Sequence, residues 1–263
     1  LPYSEFELYY MPIVRARTNR VCGVEALLRW NSDVLGRVSP DEFIPVAEAM
    51  GAFRGIDRWV INQASADLPR LKAQFGQSFH ISVISSAAEL VSREFVDVMS
   101  AMVHQGFIEP EHMELEITET FNADHGEGCD AILRRLRDLG ISISIDDFGT
   151  GYTAMVQLVE YPVDKIKLDK TFLSKVLKRD RVEVVGALVD FCKSQSFEVT
   201  AEGIETVDQL VTLTEAGCDY LQGYYFSPPR PLRDLLEQYR VEPASEEAVR
   251  IESGATPLRV VTA

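Results

Sequence analysis

Four strand-like runs carry polar residues on one alternating face, with acids toward their ends. "MELEITET" presents Glu114, Glu116 and Thr118, and "ISISIDD" presents Ser142, Ser144 and Asp146. "KIKLDK" presents Lys165, Lys167 and Asp169, and "FEVTAEG" presents Glu198, Thr200 and Glu202. The opposite parity is mostly apolar, as expected where side chains alternate across a strand and one face packs on helices. Carboxylates converging in an interior cannot all stay ionised without a counter-charge. A divalent metal supplies one, and an all-oxygen ligand set suits Mg2+ or Mn2+. For any one strand, a structural ion-pair network with Lys167 is the favoured reading. The repetition over four strands favours a metal site.

Asp146 and Asp147 are adjacent and face opposite ways within a strand. At a strand end both can turn toward one place, which allows two metals a few ångströms apart. "DFGTGY" follows at 147–152, a tight loop whose two glycines leave backbone amides free near a ligand. Arg29, four residues after Glu25, has the planar fork that pairs with phosphate. An ordinary rim arginine is the alternative reading.

The elements that must position these residues follow from spacing. Strands are predicted over 6–14 and 21–30, and the short link between them demands an antiparallel pair, since a parallel crossover needs about a dozen residues. Helical patterns at 40–50 and 53–75 lead to a strand at 79–85. Helices at 93–105 and 127–139 lead to strands at 113–119 and 141–147. A short helix at 153–160 leads to a strand at 164–169. Helices near 180–195 and at 206–216 lead to strands at 197–202 and 219–226, and a last helix covers 231–240. About eight strands in about 240 residues fit a modified (β/α)8 TIM-type barrel of the α/β class, with an antiparallel strand near the N-terminus. Glu116, Asp146, Lys167 and Glu202 then lie near the carboxyl ends of neighbouring strands, where barrel active sites form. Residues 1–240 are expected to form the barrel domain and 241–263 a C-terminal extension.

The 263 residues carry a net charge of −15, which argues against DNA or another nucleic-acid polyanion as partner. The apolar runs are too short for a membrane span. Cys22, Cys129, Cys192 and Cys218 are scattered, and read as reduced core thiols of a cytoplasmic protein. The opening "LPYSEFELYY" has no signal-peptide features and reads as the start of a domain within a longer protein.

Six motifs in order, "VEALLRW" (24–30), "LEITET" (115–120), "DDFGTGY" (146–152), "KIKLDKTF" (165–172), "AEGIET" (201–206) and "LQGYYFSPP" (221–229), resemble the EAL domain. The resemblance implies a (β/α)8-type barrel that hydrolyses cyclic di-GMP to pGpG with Mg2+ or Mn2+, two ions when active. It also implies an upstream sensor or GGDEF domain, in a larger and sometimes membrane-anchored bacterial signalling protein, and barrels that often pair as homodimers. Carried over to this chain, Glu25, Glu116 and Asp146 match metal ligands, and Asp147 matches a ligand of the second metal. Lys167 resembles the lysine that orients the attacking water. Glu202 resembles a further acid at the metal centre, and Glu119 the glutamate that anchors the glycine loop. Arg29 and Asp169 resemble substrate contacts, and Gln222 a supporting or ligand contact.

The chain departs from the family pattern in three places. Met11 replaces a glutamine, Ala88 replaces an arginine, and Ile84 replaces an asparagine that is a metal ligand in the family. Isoleucine has no lone pair, so the resemblance implies weaker metal affinity and a misplaced cation. A misplacement of about 1 Å can cost ~100-fold in rate. Three functions stay open on the sequence: a cyclic di-GMP phosphodiesterase, a receptor that binds the dinucleotide without cutting it, and a protein-interaction module.

Overall fold

The computed structural model describes residues 3–85, 93–118, 129–150, 158, 162–179 and 181–240. Strand β1 (Phe6–Arg15) pairs antiparallel with β2 (Arg20–Ser32), as the short link requires. From β2 the sheet continues in parallel through β4 (His80–Ile84), β5 (Met113–Thr118), β6 (Ser142–Phe148), β7 (Lys165–Leu168), β8 (Glu198–Ala201) and β9 (Tyr220–Gln222). β9 pairs antiparallel with β1 and closes the barrel. Eight strands therefore form the ring, and one of them is reversed. Two short pieces were not anticipated: β3 (Gly36–Val38) extends β2 as a hairpin, and β10 (Arg230–Pro231) borders β1.

Helices α1 (Pro40–Ala49), α2 (Phe53–Phe75), α3 (Arg93–His104), α4 (Cys129–Asp138), α5 (Lys170–Leu177), α6 (Val182–Ser194), α7 (Val207–Glu215) and α8 (Leu232–Gln238) accompany the strands. α2 illustrates why they pack. Ile56, Val60, Ala64, Leu68, Leu71 and Phe75 recur at helical spacing and are buried. They pack on β1, β2 and β4, whose outward residues Val24, Ile81 and Val83 are almost wholly shielded, as are Leu115, Ile143, Ile145, Ile166 and Val199 on the later strands. Each such aliphatic side chain contributes about 1.5–3 kcal/mol on burial.

One predicted boundary needs correction, and one helix was not predicted. The strand expected over 219–226 stops at Gln222, because Gly223 turns against Ile204, and the Tyr225 amide donates to the Ile204 carbonyl at 2.9 Å. α5 was not expected. It forms because Asp169 caps it, its carboxylate accepting from the Thr171 and Phe172 amides at 2.7 and 3.2 Å. The helix expected over 153–160 falls outside the described residues except for Leu158, which is helical. The extension 241–263, Glu119 and Ala88 also lie outside them.

Candidate metal centre at the barrel mouth

Residues paired across a sheet share a face, so the ladder registers show where each polar row points. Glu25 pairs with Ser82, Ser82 with Glu114, Glu116 with Ser144, and Lys167 with Thr200. All these residues are buried. The polar parity therefore lines the interior, in two tiers.

The lower tier is a closed floor. Lys165 Nζ lies 2.6 Å from Glu114 Oε2 and 4.8 Å from the centre of the Tyr220 ring. Burial works against ionisation of Glu114, but the Lys165 ammonium outweighs it and holds the carboxyl down at about 2. His80 lies beside this pair, with its ring tight against Gly23. Burial and then the nearby Lys165 charge depress the imidazole to about 4.

The upper tier is the acidic centre. Lys167 Nζ lies 2.8 Å from Glu116 Oε2, 2.9 Å from Asp146 Oδ1, 2.9 Å from Glu202 Oε1 and 3.9 Å from Glu25 Oε2. Glu116 is 0% exposed and Lys167 2%. Four carboxylates thus surround one ammonium, which leaves three negative charges when all are ionised. The proton affinities record that deficit. Burial pushes Glu116 well above the usual carboxylate range despite Lys167, and raises Glu25. Burial, with Asp146 and Glu25 nearby, lifts Glu202 to about 8. Burial opposes the charge on Lys167, but Asp146, Glu116 and Glu202 outweigh it and raise that group.

Asp147 joins from the strand end. The β6–β7 register shifts between Ile145 and Phe148, and Asp147 takes a φ of 56°, a left-handed conformation that aspartate tolerates. The break lets Asp146 and Asp147 serve one place, as expected: Asp146, Asp147 and Glu202 each offer an oxygen, all within 4.8 Å of one another. Burial, and then the neighbouring Asp146 and Asp169, raise Asp147 to about 6. The donor set fits a hard divalent cation. It is all oxygen and strongly negative, and neither Glu116 oxygen has an aligned hydrogen-bond donor.

The remaining predicted residues take distinct places. Gln222 is buried and donates its side-chain amide to Glu25 Oε2, so it orients that carboxylate. Asp169 is buried, and one of its oxygens is committed to the α5 cap. Arg29 is partly buried at the rim, with its guanidinium 5.3 Å from the Tyr9 ring centre. Ile84 pairs in register with Glu116 and is 41% exposed at the mouth. Met11 sits opposite Glu25 across the β1–β2 ladder. Cys192 and Cys218 are buried thiols pushed up to about 11 and about 12 by desolvation, while Cys22 is partly exposed. Sequence reasoning missed Tyr9, whose ring lies beside the Arg29 guanidinium. The signal was available in the hairpin, whose pairing puts Glu7, Tyr9 and Met11 on the face that carries Glu25 and Arg29.

A closed (β/α)8 barrel with one reversed strand and a carboxylate-lined mouth defines a barrel of the EAL type. The family profile described as EAL domain matches residues 3–229, and the chain belongs to that family. Among its relatives is the biofilm architecture maintenance protein MbaA of Vibrio cholerae serotype O1, 43% identical over 232 residues, 88% of this chain and 29% of that protein. The cyclic di-GMP phosphodiesterase NbdA of Pseudomonas aeruginosa is 35% identical over 245 residues, 92% of this chain and 31% of that protein. A solved structure of the PaMucR phosphodiesterase in complex with c-di-GMP superposes with a TM-score of 0.81 at 33% identity, covering 88% of this chain and 94% of that one. The chain thus spans under a third of the length of these curated relatives. No helix among the described residues is long and apolar enough to cross a membrane.

Proposed function

We propose that this chain is a metal-dependent cyclic di-GMP phosphodiesterase domain that releases pGpG. The observation that carries this reading is the set of four carboxylates around one buried lysine at the barrel mouth, with Arg29 on the rim above. The names of NbdA and of the PaMucR complex support the choice of substrate. In this reading Glu25, Glu116, Asp146, Asp147 and Glu202 hold Mg2+ or Mn2+, with Asp147 serving a second ion. Bound cations would stabilise charge on the attacking and leaving oxygens and lower the pKa of water.

The other roles belong to the chain itself. Lys167 keeps the carboxylates together and directs an ammonium proton at the attacking water. Arg29 pairs with a phosphodiester oxygen, and Asp169 meets the substrate through the oxygen that α5 does not use. Gln222 fixes Glu25, and the family resemblance gives Glu119 a supporting role at the glycine loop. The barrel would operate inside a longer cytoplasmic or membrane-anchored signalling protein, behind a sensor or GGDEF domain, with residues 241–263 as an extension. Pairing of two such barrels belongs to the same reading, and light scattering of the purified chain reads it.

Ile84 favours a second reading, a receptor that holds the dinucleotide and cuts it slowly. It lies beside Glu116 at the mouth and brings no oxygen. The experiment mixes purified protein with cyclic di-GMP and Mg2+, Mn2+ or Ca2+, follows pGpG by chromatography, and measures binding by calorimetry. Turnover is the expected result. Tight binding without turnover supports the receptor, and no binding under any cation removes both readings. Ile84→Asn is expected to raise turnover by up to about 100-fold, the scale of a 1 Å correction in cation placement. An unchanged rate shows that Ile84 does not limit the chemistry.

A further inference from the structure

The β1–β2–β3 ribbon rises above the barrel mouth and carries a second arginine. In its ladders Glu7 pairs with Arg29 and Asn31 with Arg37. Paired residues share a face and alternate positions repeat it, so Arg29, Asn31 and Arg37 lie on the continuation of the wall that bears Glu25. Arg37 is exposed, and its guanidinium lies 5.4 Å from the centre of the Tyr9 ring, against 5.3 Å for Arg29. Two cations therefore converge on one aromatic ring.

Among the described residues, neither arginine has a carboxylate within 4.0 Å. Glu7, opposite Arg29, accepts instead from the Asn31 side chain at 3.4 Å. Arg29 donates to the Leu28 carbonyl at 2.8 Å. Two like charges at one ring, in a chain of net charge −15, form a local cationic spot above an acidic mouth. Cation–π contact with Tyr9 offsets part of their repulsion. An anion lying between them offsets the rest, and two planar forks match the oxygens of a phosphate.

We propose that Arg37 is a second substrate-binding arginine, closing with Arg29 across the Tyr9 ring on one phosphodiester anion of the cyclic dinucleotide. This rests on the phosphodiesterase reading and adds to it a residue outside the carboxylate centre.

The test measures cyclic di-GMP affinity by calorimetry with Ca2+ as the cation, for the wild type, Arg37→Ala, Arg37→Gln, Arg29→Ala and the Arg29→Ala/Arg37→Ala double variant. Arg37 is exposed, so the melting temperature of its single variants should match the wild type. The expected result is roughly tenfold weaker binding by Arg37→Ala and by Arg37→Gln, the scale of a charge-assisted hydrogen bond near solvent. A shallower dependence of affinity on salt and a double-variant loss well short of the product of the single losses are also expected. Affinity of Arg37→Ala within twofold of the wild type overturns the clamp and leaves the phosphodiesterase reading intact. Full rescue by Arg37→Gln, or multiplicative losses, overturns the shared anion. A wild type that binds no cyclic di-GMP removes the reading and the clamp together.

Discussion

Lys167→Met tests whether one ammonium holds the acidic centre together. The variant keeps the length of the side chain and removes its charge. Three carboxylates then lose a partner at 2.8–2.9 Å, in a place where the lysine is 2% exposed. The least costly replacement, without metal, is one more proton on a carboxylate. At pH 7, protonating a group whose ordinary value is 4.5 costs about 3.4 kcal/mol, at ~1.36 kcal/mol per pH unit. That agrees with about 3–5 kcal/mol for breaking a buried ion pair. It corresponds to a fall of roughly 7–14 °C in Tm for a domain of this size.

The sign with pH follows from linkage. The variant's extra folded-state proton sits on a group whose folded pKa is raised, so the penalty shrinks as pH falls toward the unfolded value. At pH 5 only about 0.7 kcal/mol remains. The assay is calorimetric melting in chelator at both pH values, repeated with excess Mg2+. The cation should raise the Tm of the variant more than that of the wild type, because it meets one more uncompensated charge. A Tm within 2 °C of the wild type at pH 7 in chelator, or a penalty equal at pH 7 and pH 5, refutes the charge argument.

Two other outcomes are expected. His80, depressed from 6.5 to about 4, stays neutral in the folded state while the unfolded state takes up a proton, so stability falls as pH drops through that window. The residue keeps some exposure, so the effect is discounted to roughly 1 kcal/mol between pH 7 and pH 5. Urea melts of wild type and His80→Gln should differ by that slope, and parallel pH profiles would exclude it. In Gly223→Ala the new Cβ would overlap the backbone N and O of Ile204, and should destabilise by roughly 2–3 kcal/mol. Denaturant unfolding reads that loss, and an unchanged midpoint would show that the β9 exit relaxes freely.

The barrel was legible because its strands obey two simple periodicities. Alternation placed Glu114, Glu116, Ser144, Lys167 and Thr200 inside, and all are buried. The link at 16–19 was too short for anything but an antiparallel pair, which set the reversed strand. What escaped was what one side chain decides through space. Asp169 reads as an acid at a strand end, and nothing local says that it caps α5. Gln222 and Glu25 are 197 residues apart, so their hydrogen bond leaves no trace in spacing. Arg37 drew no notice, because β3 is only three residues long and three residues show no alternation. The floor pair Lys165–Glu114 repeats the pattern of the upper tier, and only its depth in the barrel separates it from the acidic centre.

The reversed strand has a mechanical consequence. In a barrel of uniform polarity, the first strand starts at the floor, far from the chemistry. Here β1 starts at the mouth, where Glu5 accepts from the Trp30 indole at 2.7 Å and the Tyr3 hydroxyl rests against Gly55. Any polypeptide joined ahead of Tyr3 is thus tethered to the rim that holds Tyr9 and Arg29. That tether and the acidic centre are joined by one unbroken antiparallel ladder, from Phe6–Trp30 down to Met11–Glu25.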